Sequence, residues 1–313
     1  MAEKQKILLD MDIGDDIDDA IALYAAMRQG FEIVGVTTVF QNTRDRARQV
    51  KKLLREYGHG YEKVPVYAGC GTPLQAKPEA YPHIPHYTPD LEQDLYAPDG
   101  ESEEDAIAFI IDACRRYGKE LTVIALGAFT NLARVIERDA DALRAVAQVA
   151  IMGGAYFRQY VDWNVLCDVE AADVLFRSLD GLVCIGADVT HRTAASEEIY
   201  NNLLNYDGSE AGHVYLTELC GLWRQHCPNA ELVLHDPLVV YCVADPSLCG
   251  MQRAPVQVIT EGYARGLTLN VDAYGKKHYN PCYADFDGTR QALVAKTVDV
   301  DAFFAHLLRD ICV

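Results

Sequence analysis

What this chain lacks narrows its reading first. No apolar run approaches the roughly 20 residues that span a bilayer. The polar start, Met1 to Lys6, leads only into Ile7–Leu8–Leu9, too short for a signal-peptide core. A cytoplasmic protein without a membrane partner is expected. Basic residues are scarce: 28 Lys and Arg stand against 46 Asp and Glu, a formal charge of -18. That balance argues against nucleic acid, whose phosphates need cationic side chains in excess. The ten cysteines include no C-x-x-C pair, so neither a thiolate zinc site nor a secreted disulfide framework is indicated. Cysteines in apolar runs, such as Cys184 within Leu182–Ile185, read as reduced and buried. Repeats, low-complexity segments and linkers are absent too. The expectation is one domain over residues 1–313 with insertions, rather than a separate C-terminal domain.

What is present is an alternation of short apolar runs with longer amphipathic ones. Ile7–Leu9, Ile33–Val39, Val64–Tyr67, Leu121–Leu126, Val149–Met152 and Leu182–Ile185 read as buried strands. Between them, Asp18–Gln29, Thr43–Tyr57, Glu103–Tyr117, Asn131–Arg138 and Val169–Ser178 read as helices. Strand and helix in alternation imply an α/β fold: a mostly parallel, Rossmann-like open sheet flanked by helices, with small helical insertions. In such sheets, ligands bind beyond the carboxyl ends of the strands. The segment Ala76 to Glu104, rich in Pro, Tyr, His and acid, reads as a long loop, and Asp207 to Asn229 as a helical cap beside the sheet.

The most informative stretch follows the first strand. Asp10, Asp12, Asp15, Asp16, Asp18 and Asp19 place six aspartates in ten residues, where a strand ends and a helix begins. Carboxylates this dense repel one another unless a positive charge sits among them. A helix N-terminus contributes only about 0.3–1 kcal/mol per charge. Oxygen ligands in this number suit calcium or magnesium rather than zinc. Other readings are a solvated helix cap, an EF-hand loop and a D-x-D aspartyl phosphatase. A cap needs one or two acids, not six. The EF-hand reading fails because Asp15 and Ile21 stand where Gly and Glu are required. The phosphatase further needs a later Lys with a following acidic pair, and none is evident.

Asp10–Met11–Asp12–Ile13–Gly14 followed by Asp18–Asp19–Ala20 resembles the N-terminal signature D-x-D-P-G-x-D-D of the inosine-uridine-preferring nucleoside hydrolase family. Two departures are visible: Ile13 replaces Pro, and two extra residues precede the final Asp pair. Further elements follow in the family's order: Val36 to Asn42, Val64 to Gly69, Ala125 to Ala133 and Met152–Gly153–Gly154–Ala155. They continue through Asp162–Trp163–Asn164 with Asp168 and Glu170–Ala171–Ala172, to His235–Asp236–Pro237–Leu238. The similarity thus covers nearly the whole chain.

The resemblance implies an enzyme of ribonucleoside catabolism and salvage that hydrolyses the N-glycosidic bond, giving ribose and a free nucleobase. It implies calcium held by Asp12, Asp19 and Asp236 with the carbonyl of Leu126, Asp16 remaining a further candidate ligand. Asp12 would be the general base and His235 the acid for the departing base. Asp18, Asn42 and Asn164 would cradle the ribose hydroxyls, Met152 would pack against the sugar, and Asp162, where the family usually carries Glu, would face the 5′-hydroxyl. Apart from the resemblance, His83, His86 and Tyr87 lie in the long loop and could close over a bound base, but lone loop histidines are usually just exposed, so no role is assigned to them. A homodimer or homotetramer is implied. A calcium- or ribose-binding protein without turnover is the alternative.

Overall fold

The computed structural model describes residues 4–75, 94–204, 210–274 and 290–311. In chain order the elements are β1 (Lys6–Met11), α1 (Asp18–Arg28), β2 (Glu32–Thr38), α2 (Thr43–Tyr57), β3 (Val66–Ala68), α3 (Glu103–Tyr117) and β4 (Leu121–Ala125). There follow α4 (Thr130–Ala145), β5 (Gln148–Met152), α5 (Trp163–Cys167), α6 (Val169–Ser178), β6 (Val183–Ile185), α7 (Ala187–Thr190) and α8 (Glu197–Leu204). The chain continues through α9 (Ala211–His226), α10 (His235–Ala244), β7 (Cys249–Ala254), β8 (Val256–Val258), β9 (Thr268–Asn270), β10 (Ala292–Val298) and α11 (Val300–Ile311).

Side chains alternate across a strand, and β1 feeds two cores. Ile7, Leu9 and Met11 pack with α1, α2, α10 and α11, whereas Leu8 packs with residues of α3, α4 and α6. Helices therefore cover both faces, the arrangement that a parallel sheet requires. The eight-stranded sheet has the order β3-β2-β1-β4-β5-β6-β10-β7. Its pairs are parallel except β10 with β7, and β8 and β9 form a separate antiparallel pair. The mostly parallel, doubly wound sheet is as expected.

The six expected strands are all present, with ends shifted by up to two residues. The first shift is instructive. A charged Asp10 does not end β1, because Asp10 still pairs with Thr37 and Ala125. Its carboxyl is held laterally through one oxygen only: Thr37 Oγ1 donates to Oδ1 at 2.6 Å and Asn131 Nδ2 at 2.7 Å, while Oδ2 is buried without a hydrogen-bond partner. The helix expected to stop at Arg138 runs to Ala145 across a kink at Asp139. The expected loop 76–104 lies largely outside the described residues, His83, His86 and Tyr87 included; α3 begins at Glu103, capped by Ser102. The helical cap takes the form of α9, packed against α1 and α2.

The topology creates the site. From β1 the chain goes to β2 on one side, and later to β4 on the other. Loops leaving the carboxyl ends of β1 and β4 diverge, and a crevice opens at this switch point. The six-aspartate turn sits at its edge. No helix among the described residues is long and apolar enough to cross a membrane.

Candidate active site

A cavity of about 490 Å³ opens beyond the carboxyl ends of β1, β4 and β5. Among its lining residues are Asp12, Asp16, Asp18, Asp19, Met152, Asp162, Asn164, His235 and Asp236. These come from four stretches of the sequence. Asp12 to Asp19 run from the end of β1 into α1, Met152 ends β5, Asp162 and Asn164 lie at the start of α5, and His235 and Asp236 open α10.

Helices α1 and α10 pack together and both begin at the cavity. Asp18 ties the two: its Oδ2 accepts the backbone N–H of Asp236 at 3.1 Å. Oxygens of Asp18, Asp19 and Asp236 lie within 4.8 Å of one another, and all three residues are buried. Asp12 is buried beside them. Its place depends on Gly127, where a Cβ would come within 2.9 Å of the Asp12 side chain. Opposite, Asn164 Nδ2 donates to the Leu126 carbonyl at 2.5 Å and reaches the Met152 carbonyl at 3.3 Å, so the Leu126 oxygen is engaged by an amide, and Leu126 is not among the residues that line the cavity.

Electrostatics show what this arrangement lacks. Burial pushes the Asp12 carboxyl up to about 8; Asp15 and Asp18 add to the rise and Arg46 opposes it. Burial and the charges of Asp12 and Asp18 raise Asp19 well above the carboxylate range. Asp236 moves the same way through burial and the charges of Asp18 and Asp19. Asp18 rises less, to about 6, because backbone N–H groups offset part of its burial. Two helix N-termini supply about 0.3–1 kcal/mol per charge, against several kcal/mol for each buried ion. The dipoles lose that comparison. Asp19 Oδ1 is also buried without a hydrogen-bond partner. A set of oxygen donors that converge, repel and remain unsatisfied fits a hard divalent cation.

The other expected residues divide. Asp16 lines the cavity, but its Oδ1 accepts the Ile17 N–H at 2.7 Å and so closes the turn. Asp162 is buried and caps α5, accepting Val165 N–H at 3.3 Å. Met152 lies in the wall. Asn42 is exposed at the N-terminal cap of α2 and does not line the cavity. His235 sits in the wall with Thr190 Oγ1 2.6 Å from its Nδ1, and its ring is edge-on to His191. Burial, reinforced by the charge of Arg158, lowers it to about 4. It is therefore a neutral imidazole near pH 7.

Sequence reasoning missed Tyr160, Trp163, His226 and Cys227, which also line the cavity. Tyr160 and Trp163 flank Asp162 and could have been found from that spacing. His226 and Cys227 arrive from the end of α9, which no motif marks. Missed too was Arg46, buried beneath the acidic turn.

Comparison with known proteins places this geometry. The family described as inosine-uridine preferring nucleoside hydrolase matches residues 7–305. A uridine nucleosidase of Arabidopsis thaliana is 31% identical, with 98% of this chain and 93% of that protein aligned. An inosine-uridine preferring nucleoside hydrolase of Crithidia fasciculata is 28% identical over 85% of this chain and 87% of that protein. Among solved structures, a plant nucleoside hydrolase superposes with a TM-score of 0.81 at 26% identity, covering 99% of both chains. The chain therefore belongs to the inosine-uridine preferring nucleoside hydrolase family.

Proposed function

We propose that this chain hydrolyses the N-glycosidic bond of ribonucleosides with the help of a calcium ion at the acidic cluster. The observation that carries this reading is the convergence of Asp18, Asp19 and Asp236, from two helix N-termini, on the floor of a cavity of nucleoside size. Asp12, Asp19 and Asp236 would hold the ion with the Leu126 carbonyl, and Asp16 could join them through the oxygen its turn leaves available. When bound, a divalent cation there supplies the positive charge that lowers the pKa of a water and anchors a vicinal diol.

The chain's own groups do the rest. Cleavage builds positive charge on the ribose, as in glycoside hydrolysis. Asp12 takes the proton of the attacking water, being buried at the carboxyl end of β1 in the wall of the cavity. Asp18 and Asn164 hold the ribose hydroxyls, Met152 packs against the ring, and Asp162 faces the 5′-end. Asn42, exposed as it is, would have to move to join them. Ribonucleosides are small solutes, and the proposed assembly is a homodimer or homotetramer.

The test is direct. Metal-free protein is incubated with inosine and with uridine, with and without calcium, and free ribose is assayed. Release that depends on calcium and stops with chelator is the expected result. Calcium uptake with no ribose from either substrate would instead indicate a binding protein, and hydrolysis of p-nitrophenyl phosphate would indicate the phosphatase.

His235 is proposed as the group that serves the departing base. Thr190 engages Nδ1, which leaves Nε2 for the cavity. As a neutral imidazole it donates an Nε2–H hydrogen bond that stabilises the negative charge building on the departing base, while its own proton stays on the ring and water protonates the released anion. His235→Ala should lower kcat on inosine by about 100-fold. Hydrolysis of p-nitrophenyl riboside, whose leaving group needs no proton, should change little. Equal losses on both substrates would assign His235 to orienting Asp236 instead.

A further inference from the structure

Beneath the acidic turn lies a buried cation that the hydrolytic reading leaves without a task. Arg46, on α2, is 3% exposed. Its Nη1 donates to the carbonyl of Asp12, and to that of Ile13 at 3.0 Å. Its Nε donates to the carbonyl of Phe40 at 2.8 Å, and its Nη2 forms an ion pair with Asp15 Oδ2 at 3.0 Å, without hydrogen-bond geometry. A buried guanidinium persists only where acceptors surround it in good geometry. Here they come from two loops, the one that leaves β1 and the one that leaves β2.

Both loops need restraint. The first carries Ile13 where the family signature has a ring-locked Pro, and is two residues longer before Asp18. Its Gly14 adopts φ +111, so the chain there has the widest conformational freedom. The second holds Phe40 and Gln41 at φ 69 and 55, a strained pair for residues with side chains. Phe40 in turn packs edge-on against Trp163, in the cavity wall.

We propose that Arg46 is a positioning residue that replaces the missing proline: it clamps the long turn and so sets Asp12, and it draws Asp15 out of the cation-binding set. This rests on the reading of Asp12 as part of the cation site. Asp15 lines the cavity too, and its Oδ2 then balances the charge of Arg46 rather than that of the ion. One guanidinium locks the ends of β1 and β2 at the switch point, where the family pattern relies on a ring.

Wild type, Arg46→Met, Arg46→Lys, Asp15→Asn, Asp19→Asn and the surface control Arg44→Met are compared. Metal-free protein is titrated with calcium chloride by calorimetry, with melting temperatures and steady-state kinetics alongside. Arg46→Met should weaken calcium binding by about 10–100-fold, as loss of a group that orients ligands does, and should also lower kcat at saturating calcium. Arg46→Lys should recover little, since one ammonium cannot serve four acceptors on two loops. Asp15→Asn should weaken calcium far less than Asp19→Asn does, and Arg44→Met should match wild type. Arg46→Met with a lower melting temperature but wild-type calcium affinity would make the residue merely structural and overturn the proposal. If Arg46→Met does not fold, Arg46→Lys decides, and full retention of affinity and kcat overturns it. Asp15→Asn as damaging as Asp19→Asn overturns it as well, because Asp15 would then be a ligand. A wild-type protein that neither binds calcium nor releases ribose would be a different result, and would strike the functional reading itself.

Discussion

Asp19→Asn is expected to lower kcat/KM on inosine and uridine by about 1,000-fold while making the metal-free protein more stable. Both effects come from one carboxylate. Asp19 is buried, its Oδ1 has no hydrogen-bond partner, and Asp12 and Asp18 oppose its ionisation. Such a group strains the fold whenever no cation is present. Asparagine keeps the shape and removes the charge, so the metal-free variant should gain about 1–3 kcal/mol. For a chain of this size, that is a rise of several degrees in Tm. With a cation site in use the sign reverses. Losing one ionic ligand removes about 4 kcal/mol of transition-state stabilisation, the equivalent of the 1,000-fold loss. Scanning calorimetry with and without calcium separates these effects. Wild type should show a large upward shift on adding calcium, and Asp19→Asn should start higher and shift little. A variant that melts below wild type in chelator, yet keeps the calcium shift, would mean that Asp19 only supports the fold.

The same physical contrast marks what could be read from the residues alone. Buried parallel strands are continuous apolar runs, so Leu121–Ala125 and Gln148–Met152 were plain. β7 lies at the far edge of the sheet, with exposed and half-exposed residues among buried ones, and no apolar run announces it; β10 beside it opens on a short one, Ala292–Ala295, which Lys296 and Thr297 cut off. Asp12, Asp19, Asp236 and Asn164 were legible because motifs hold them at fixed offsets from strand ends, where the topology gathers them. The place of Asp18 was half-legible. It was expected to touch ribose, yet its carboxylate also joins α1 to α10 and converges with Asp19 and Asp236. That follows from how two helices pack, which a local pattern does not contain. Arg46 was hidden for a similar reason: in sequence it is one cation of an exposed-looking run from Arg44 to Arg48. Only the fold shows that its side chain turns inward, under the aspartates.

The stability of the metal-free protein should fall as pH rises from about 5 to 8, and calcium should remove most of that fall. The sign follows from the folded-state values. Burial raises Asp10 to about 7, Asp12 to about 8, and Asp18 and Asp162 to about 6, from 3.8 for the free side chain. Between those limits the folded chain holds protons that the unfolded chain has released. Unfolding then becomes more favourable with each step up in pH. Well below pH 3.8 every one of these groups is protonated in both states and the penalty vanishes; above about 8 it is complete. Calcium takes the place of the protons on Asp12 and its neighbours, so its affinity should climb through the same window and protons should leave as it binds. The gap in Tm between calcium-loaded and chelated protein should therefore widen from pH 5.5 to 8, and a weakly buffered sample at pH 7 should acidify when calcium is added. A metal-free Tm that rises steadily across this range would show that the cluster bears its charges without strain. The case for a cation among these aspartates would then be lost.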